Sequence, residues 1–185
     1  SWLGLRTLLG APVSFISAFL SEHQEWSPAR LTANKGRTFN GCYVAGMGFI
    51  LTSEQAQEML AVDSKNSDVL LTYVNGQDLN TDPEQRPSRW IICFWDWPEE
   101  KARAYEAPWV WIEERVKPER QRRDEHGDYV LRRPLPERWW QYGDKRPALY
   151  HAIGRGGLFE AHPGDWIPKA KAPKEVLVSA IVGKH

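Results

Sequence analysis

The stretch that most constrains this chain runs from Arg89 to Arg146 and holds seven of the ten tryptophans. It opens with Arg89-Trp90-Ile91-Ile92-Cys93-Phe94-Trp95-Asp96-Trp97-Pro98 and passes through Pro108-Trp109-Val110-Trp111-Ile112. It then reaches the basic run Val116-Lys117-Pro118-Glu119-Arg120-Gln121-Arg122-Arg123 and ends on Arg138-Trp139-Trp140-Gln141-Tyr142-Gly143. Large rings fill a core when their polar edges find partners, so a fold built here must enclose them or use them. Spacing assigns Trp90, Trp109 and Trp139 to the core and leaves Trp97, Trp111 and Trp140 on other faces as candidates for exposure. Trp139-Trp140 as a pair reads as half-buried.

At 185 residues the chain is long enough for one domain or one and a half. Hydrophobic residues make up 42% and charged residues 26%, a globular composition. The longest apolar runs fall far short of the roughly 20 residues that span a bilayer. The start, Ser1-Trp2-Leu3-Gly4-Leu5-Arg6, lacks a secretory pattern and an initiator methionine, so the expectation is a piece of a longer, cytoplasmic protein with no membrane partner. Cys42 and Cys93 have no C-x-x-C spacing and read as buried thiols in a reducing compartment, with a disulfide open only if their strands are neighbours.

Zero net charge hides an asymmetry. Residues 1–112 carry nine Lys+Arg against thirteen Asp+Glu, 9 − 13 = −4, and residues 113–185 carry fifteen against eleven, 15 − 11 = +4. Such a split marks an anion-binding half, or a solvated surface in which acids and bases pair.

Local patterns give the elements. Phe15, Ile16, Phe19 and Leu20 form one face of a helix over 12–22 behind Pro12. Residues 26–41 read as a loop. Residues 42–51 read as a strand interrupted by Gly46 and Gly48; these lack the third glycine and the following helix of a nucleotide loop, so close backbone approach is the preferred reason for them. Thr52 with Gln55 fits a capping box that opens a helix ending near Val62. Residues 68–74 form a strand, Asn75-Gly76 a turn and 77–88 a loop; Trp90 to Phe94 make a third strand. Helices follow from Pro98 to Tyr105 and from Pro108, with Pro118 as a continuation or kink. Residues 124–136 read as a hairpin or loop, 154–174 as the longest flexible segment and 175–182 as a strand. Together these predict an α+β fold with a mixed, largely antiparallel sheet and flanking helices.

No catalytic template fits. There is no G-x-S-x-G elbow and no phosphate loop. His23, His126, His151, His162 and His185 lack metal-ligand spacing and read as surface or structural residues. Glu99-Glu100 and Glu113-Glu114 are neighbours whose side chains diverge on a helix. The catalytic set is therefore none. A binding reading fares better. Lys117, Arg120, Arg122 and Arg123 lie within seven residues, followed by Arg132, Arg133, Arg138, Lys145 and Arg146, a density suited to phosphate. Two readings stand beside it: a structural or protein-interaction domain with core tryptophans, and a module with a Trp-lined ligand pocket.

The succession Phe39-Asn40-Gly41-Cys42, Gly46-x-Gly48-Phe49, Gly76-Gln77-Asp78-Leu79-Asn80, Arg89-Trp90-Ile91-Ile92-x-Phe94, Val116-Lys117-Pro118-Glu119-Arg120 and Trp139-Trp140-x-Tyr142-Gly143 with Arg146 resembles one family. It is similar to the target recognition region of large adenine-specific DNA methyltransferases of single-chain restriction-modification and phage-defence systems. Where that family commonly has an aspartate in the third strand, this chain has Cys93. The resemblance implies a target-recognition-domain-like fold over 39–185, cut short at its C-terminus, after a helical lead-in over 1–38 from the methyltransferase domain. It implies duplex DNA and the remainder of the parent chain as partners. S-adenosylmethionine is the cofactor of the parent, and this fragment by itself has neither cofactor nor catalysis. On this reading Lys117, Arg120, Arg122 and Arg123 are the leading DNA-backbone contacts and Arg138, Lys145 and Arg146 a second tier, with Lys184 carried over from the resemblance alone.

Overall fold

A computed structural model describes residues 6–17, 20–21, 31–167 and 172–179. The chain divides into two compact units, residues 1–38 and 39–185. In the first, β1 (Thr7–Leu8) and β2 (Ala11–Pro12) pair antiparallel around Leu9-Gly10. Both turn residues have positive φ, 52° and 82°, the geometry of a tight hairpin turn. The helix expected over 12–22 is absent among the described residues of that span, because the chain is committed to the hairpin through Pro12; Phe19 lies outside the described residues.

The second unit is an α+β structure around a three-stranded antiparallel sheet. Its strands β3 (Ile50–Leu51), β4 (Leu70–Tyr73) and β5 (Arg89–Ile92) lie in the order β3-β5-β4. The central strand is thus the one that opens the tryptophan-rich stretch. The strand expected over 42–51 shrinks to its last two residues. Ala45 and Gly46 take φ of 55° and 144° and break the extended run, and Met47–Phe49 turn through one 3-10 helix.

Helix α1 (Ser53–Val62) begins where the capping box places it: the Gln55 N–H donates to Thr52 Oγ1 at 3.3 Å and the Thr52 N–H to Gln55 Oε1 at 2.9 Å. Asn75-Gly76 is not a turn but the start of α2 (Gly76–Thr81). Asn75 accepts from the N–H groups of Gln77 and Asp78, and Asp78 accepts in return from the Asn75 N–H. The expected 77–88 loop is therefore half helix. Next come α3 (Glu99–Arg103), α4 (Glu106–Arg115), α5 (Lys117–Arg120) and α6 (Pro147–Ala152). The described part of the expected strand at 175–182, residues 175–179, has no strand; 180–182 lie outside the described residues.

The core is aromatic. Phe49, Phe94, Trp95, Trp97, Tyr105, Trp109, Trp139, Trp140, Tyr142 and Phe159 are all buried beside Leu51, Val69, Ile92 and Ile112. Two expectations fail here: Trp97 is 1% exposed and Trp140 7%. Trp95 sits at φ 52°, so the alternation of β5 stops there and Trp97 swings inward. Three buried indole N–H groups find backbone acceptors, Trp95 on Asp68 O at 3.1 Å, Trp97 on Leu158 O at 2.6 Å and Trp140 on Trp97 O at 2.9 Å, while that of Trp109 is buried without one among the described residues. Trp111 is half-buried under the Arg115 guanidinium, 3.6 Å from its ring centre. Cys42 and Cys93 are free thiols; burial pushes Cys93 up to about 12, which keeps it an inert core group.

Candidate nucleic-acid interface

The basic run follows directly from α4. Trp111 donates to Gly48 O at 2.9 Å, and a Cβ at Gly48 would stand 2.8 Å from Val116 Cγ2 and 2.9 Å from Arg115 O. The glycine therefore serves close helix approach. That contact lies at the junction of α4 and α5, just before Arg120 in the chain.

Arg120 points inward. Its side chain is 1% exposed, and its guanidinium donates to Val44 O at 2.6 Å, Ala45 O at 3.0 Å, Trp139 O at 3.1 Å and Gln141 O. Burial pushes its pKa down to about 10, which leaves it charged at neutral pH. The expectation of a DNA-backbone contact is corrected: an enclosed guanidinium with four carbonyl acceptors cannot meet an external phosphate. It ties residues 44–45 to 139–141 instead. Lys117 is also engaged, with Nζ 2.7 Å from Glu113 Oε1 and 5.1 Å from the Trp139 ring centre; that hydrogen bond holds the Glu113 carboxyl below its usual range.

Beyond Arg120 the chain leaves the core and returns to it at Pro136 and Trp139. The Gln121 amide donates to Pro136 O at 3.1 Å, and the Val130 N–H donates to Arg122 O at 3.0 Å beside the Arg123–Tyr129 bridge. Residues 121–138 are thus a loop closed at its neck. Two of its four acids are occupied, while Glu125 and Asp128 are exposed. Asp124 accepts from the N–H groups of His126 and Asp128, and Glu137 holds Arg133 at 2.8 Å. Arg123 lies over Tyr129, 4.1 Å from the ring centre, and donates to Gly127 O. Among the described residues Arg122, Arg132 and Arg138 are exposed and in no ion pair.

The other expected residues are placed differently. Lys145 is half-buried and donates to Gln141 Oε1 at 3.0 Å; burial, then Arg138, lower its pKa. Arg146 has φ 49° and pairs with Asp144 at 2.9 Å. Lys184 lies outside the described residues. So the structure gathers Arg122, Arg123 and Arg138 on one loop and adds Arg132, which the site prediction did not include. The signal for Arg132 was its place in the basic run between Arg122 and Arg138.

No helix among the described residues is long and apolar enough to cross a membrane, and none of their His, Cys, Asp and Glu side chains form a group of three placed to hold a metal. Comparison with protein-family models, curated proteins and solved structures finds no match for this chain. Chemically, the loop offers three unpaired guanidiniums on a closed backbone, able to neutralise an extended polyanion.

Proposed function

We propose that this chain is the DNA sequence-recognition portion of an adenine-specific (N6) DNA methyltransferase of a restriction-modification or phage-defence system. It binds duplex DNA so that a catalytic domain elsewhere in the parent chain, working with S-adenosylmethionine, methylates one site. In this reading residues 39–185 form a target-recognition-domain-like fold. The observation that carries it is the 121–138 loop: Arg122, Arg132 and Arg138 stand exposed there in no ion pair, while Asp124 is turned to its own backbone and Glu137 to Arg133. The order of motifs from Phe39 to Arg146 adds the methyltransferase context.

The rival reading of a Trp-lined ligand pocket loses most of its rings, since Trp95, Trp97, Trp109, Trp139 and Trp140 are all core, while Trp111 lines a cavity beside Val62, Val110 and Arg115.

Duplex binding measured at two salt concentrations tests the proposal. Three phosphate contacts give a log–log slope of about −2.7, so affinity falls about 40-fold between 50 and 200 mM salt. Replacing Arg122, Arg132 and Arg138 by Gln together removes most of that slope. Binding that is absent, or indifferent to salt, sinks the reading.

A further inference from the structure

Tyr43 is built unlike the other large rings of its unit. Its neighbour Val44 is buried, whereas Tyr43 is 66% exposed. Its backbone is nonetheless fixed on both sides, the N–H donating to Asp144 O at 3.1 Å and the C=O accepting from the Asp144 N–H at 3.0 Å. Among the described residues no hydrogen bond reaches its hydroxyl. A single exposed tyrosine by itself needs no explanation. The surroundings of this one do.

The ring lies along Gly143, where an added Cβ would stand 3.2 Å from Tyr43 Cδ1 and 3.5 Å from Leu135 Cδ2. One glycine seat thus brings the ring beside the arginine loop. The Leu135 N–H bonds to Arg132 O at 3.2 Å, which places one of the free guanidinium-bearing residues a single turn away. On the backbone side, the Asp144 carboxylate that would repel an anion is neutralised by Arg146 and also accepts the Arg146 N–H. A held, exposed aromatic ring beside the loop that carries Arg122, Arg132 and Arg138 matches the chemistry of a base and its phosphate: the base stacks on the ring while the backbone meets guanidinium.

We propose that Tyr43 stacks on an unstacked base of the nucleic acid whose phosphates meet Arg122, Arg132 and Arg138, an inference that rests on the DNA reading above. The full chain is titrated with three probes: a duplex carrying a single bulged 2-aminopurine, the same duplex without the bulge, and inorganic polyphosphate. Tyr43→Ala is expected to weaken the bulged duplex about 10-fold. Its salt slope and its polyphosphate affinity stay as in the wild type. Tyr43→Phe and Tyr43→Trp retain binding, and the quenching of 2-aminopurine seen with the wild type is lost only in Tyr43→Ala. An unchanged thermal midpoint for Tyr43→Ala ties the loss to the ring rather than to folding. Equal affinity of wild type and Tyr43→Ala for the bulged duplex, with salt-dependent binding intact, overturns the role of Tyr43 alone. No salt-dependent binding of any probe overturns the DNA reading and this inference with it.

Discussion

Arg120 shows how one side chain can organise a surface without being on it. Its four carbonyl acceptors come from residues 44–45 and 139–141, so removing the guanidinium strands buried acceptors in two segments at once. Each stranded polar group costs about 1–3 kcal/mol. Arg120→Met should therefore lose at least ~3 kcal/mol of stability, read as a lower denaturant midpoint at constant slope. Arg120→Lys should fall between, since one ammonium lacks the planar fork that serves both segments. A midpoint shift for Arg120→Met within a few tenths of a kcal/mol of zero contradicts this role. In sequence Arg120 looks like any member of the basic run. Its burial comes from carbonyls of residues 44–45 and 139–141, partners far away in the chain.

At the scale of elements, what was legible was what is local. The Thr52 box marks the first residue of α1, and Pro98 with Glu99-Glu100 marks the start of α3. Asn75-Gly76 was read as a turn because that dipeptide favours one, yet Asp78 three residues on completes a capping box and the helix wins. The 42–51 run looked like a strand by composition, but positive φ at Ala45 and Gly46 cannot be read from a single pattern of apolar residues. Gly48 gives the element-scale test. Its Cα faces the last carbonyl of α4 and the Val116 side chain, so Gly48→Ala forces the Arg115 carbonyl and Val116 to move and strains the Trp111 bond to Gly48 O. The expected cost is about 1–3 kcal/mol. Gly157→Ala, with nothing within 4 Å of the added carbon, is the matched control and should cost far less. Equal thermal midpoints for the two variants would show that the α4 contact tolerates a methyl group.

For residues 39–185 as a whole, the least legible feature is how the segment after α6 closes on the core. Phe159 is buried against Trp95 and Tyr150, Asp96 accepts from the N–H groups of Glu160 and Ala161, and Lys101 pairs with Glu160. In sequence this Gly- and Pro-rich stretch looks flexible, because its partners lie far earlier in the chain. His151 lies beneath it, buried, with Nε2 3.4 Å from His162 Nδ1, and His162 stacks on Trp166 at 3.6 Å. The charged groups facing His151 are His162, Asp96 and Asp165. Burial, then His162, lower its pKa below 6.5, against the weaker pull of the two aspartates. A histidine with a depressed native pKa binds more protons when unfolded, so its contribution to stability is full above about pH 6.5 and is lost as pH falls through the native value. The thermal midpoint should therefore decline from pH 7 toward pH 5, above the range where ordinary carboxylates titrate. Faster amide exchange over 156–167 than over β5 should accompany that decline. In His151→Gln the decline between pH 7 and 5 should flatten, because the titrating group is gone while a polar side chain of similar length remains. A pH dependence identical in wild type and His151→Gln would place the acid sensitivity elsewhere and leave the closure of 156–167 to Phe159 and the Asp96 carboxylate.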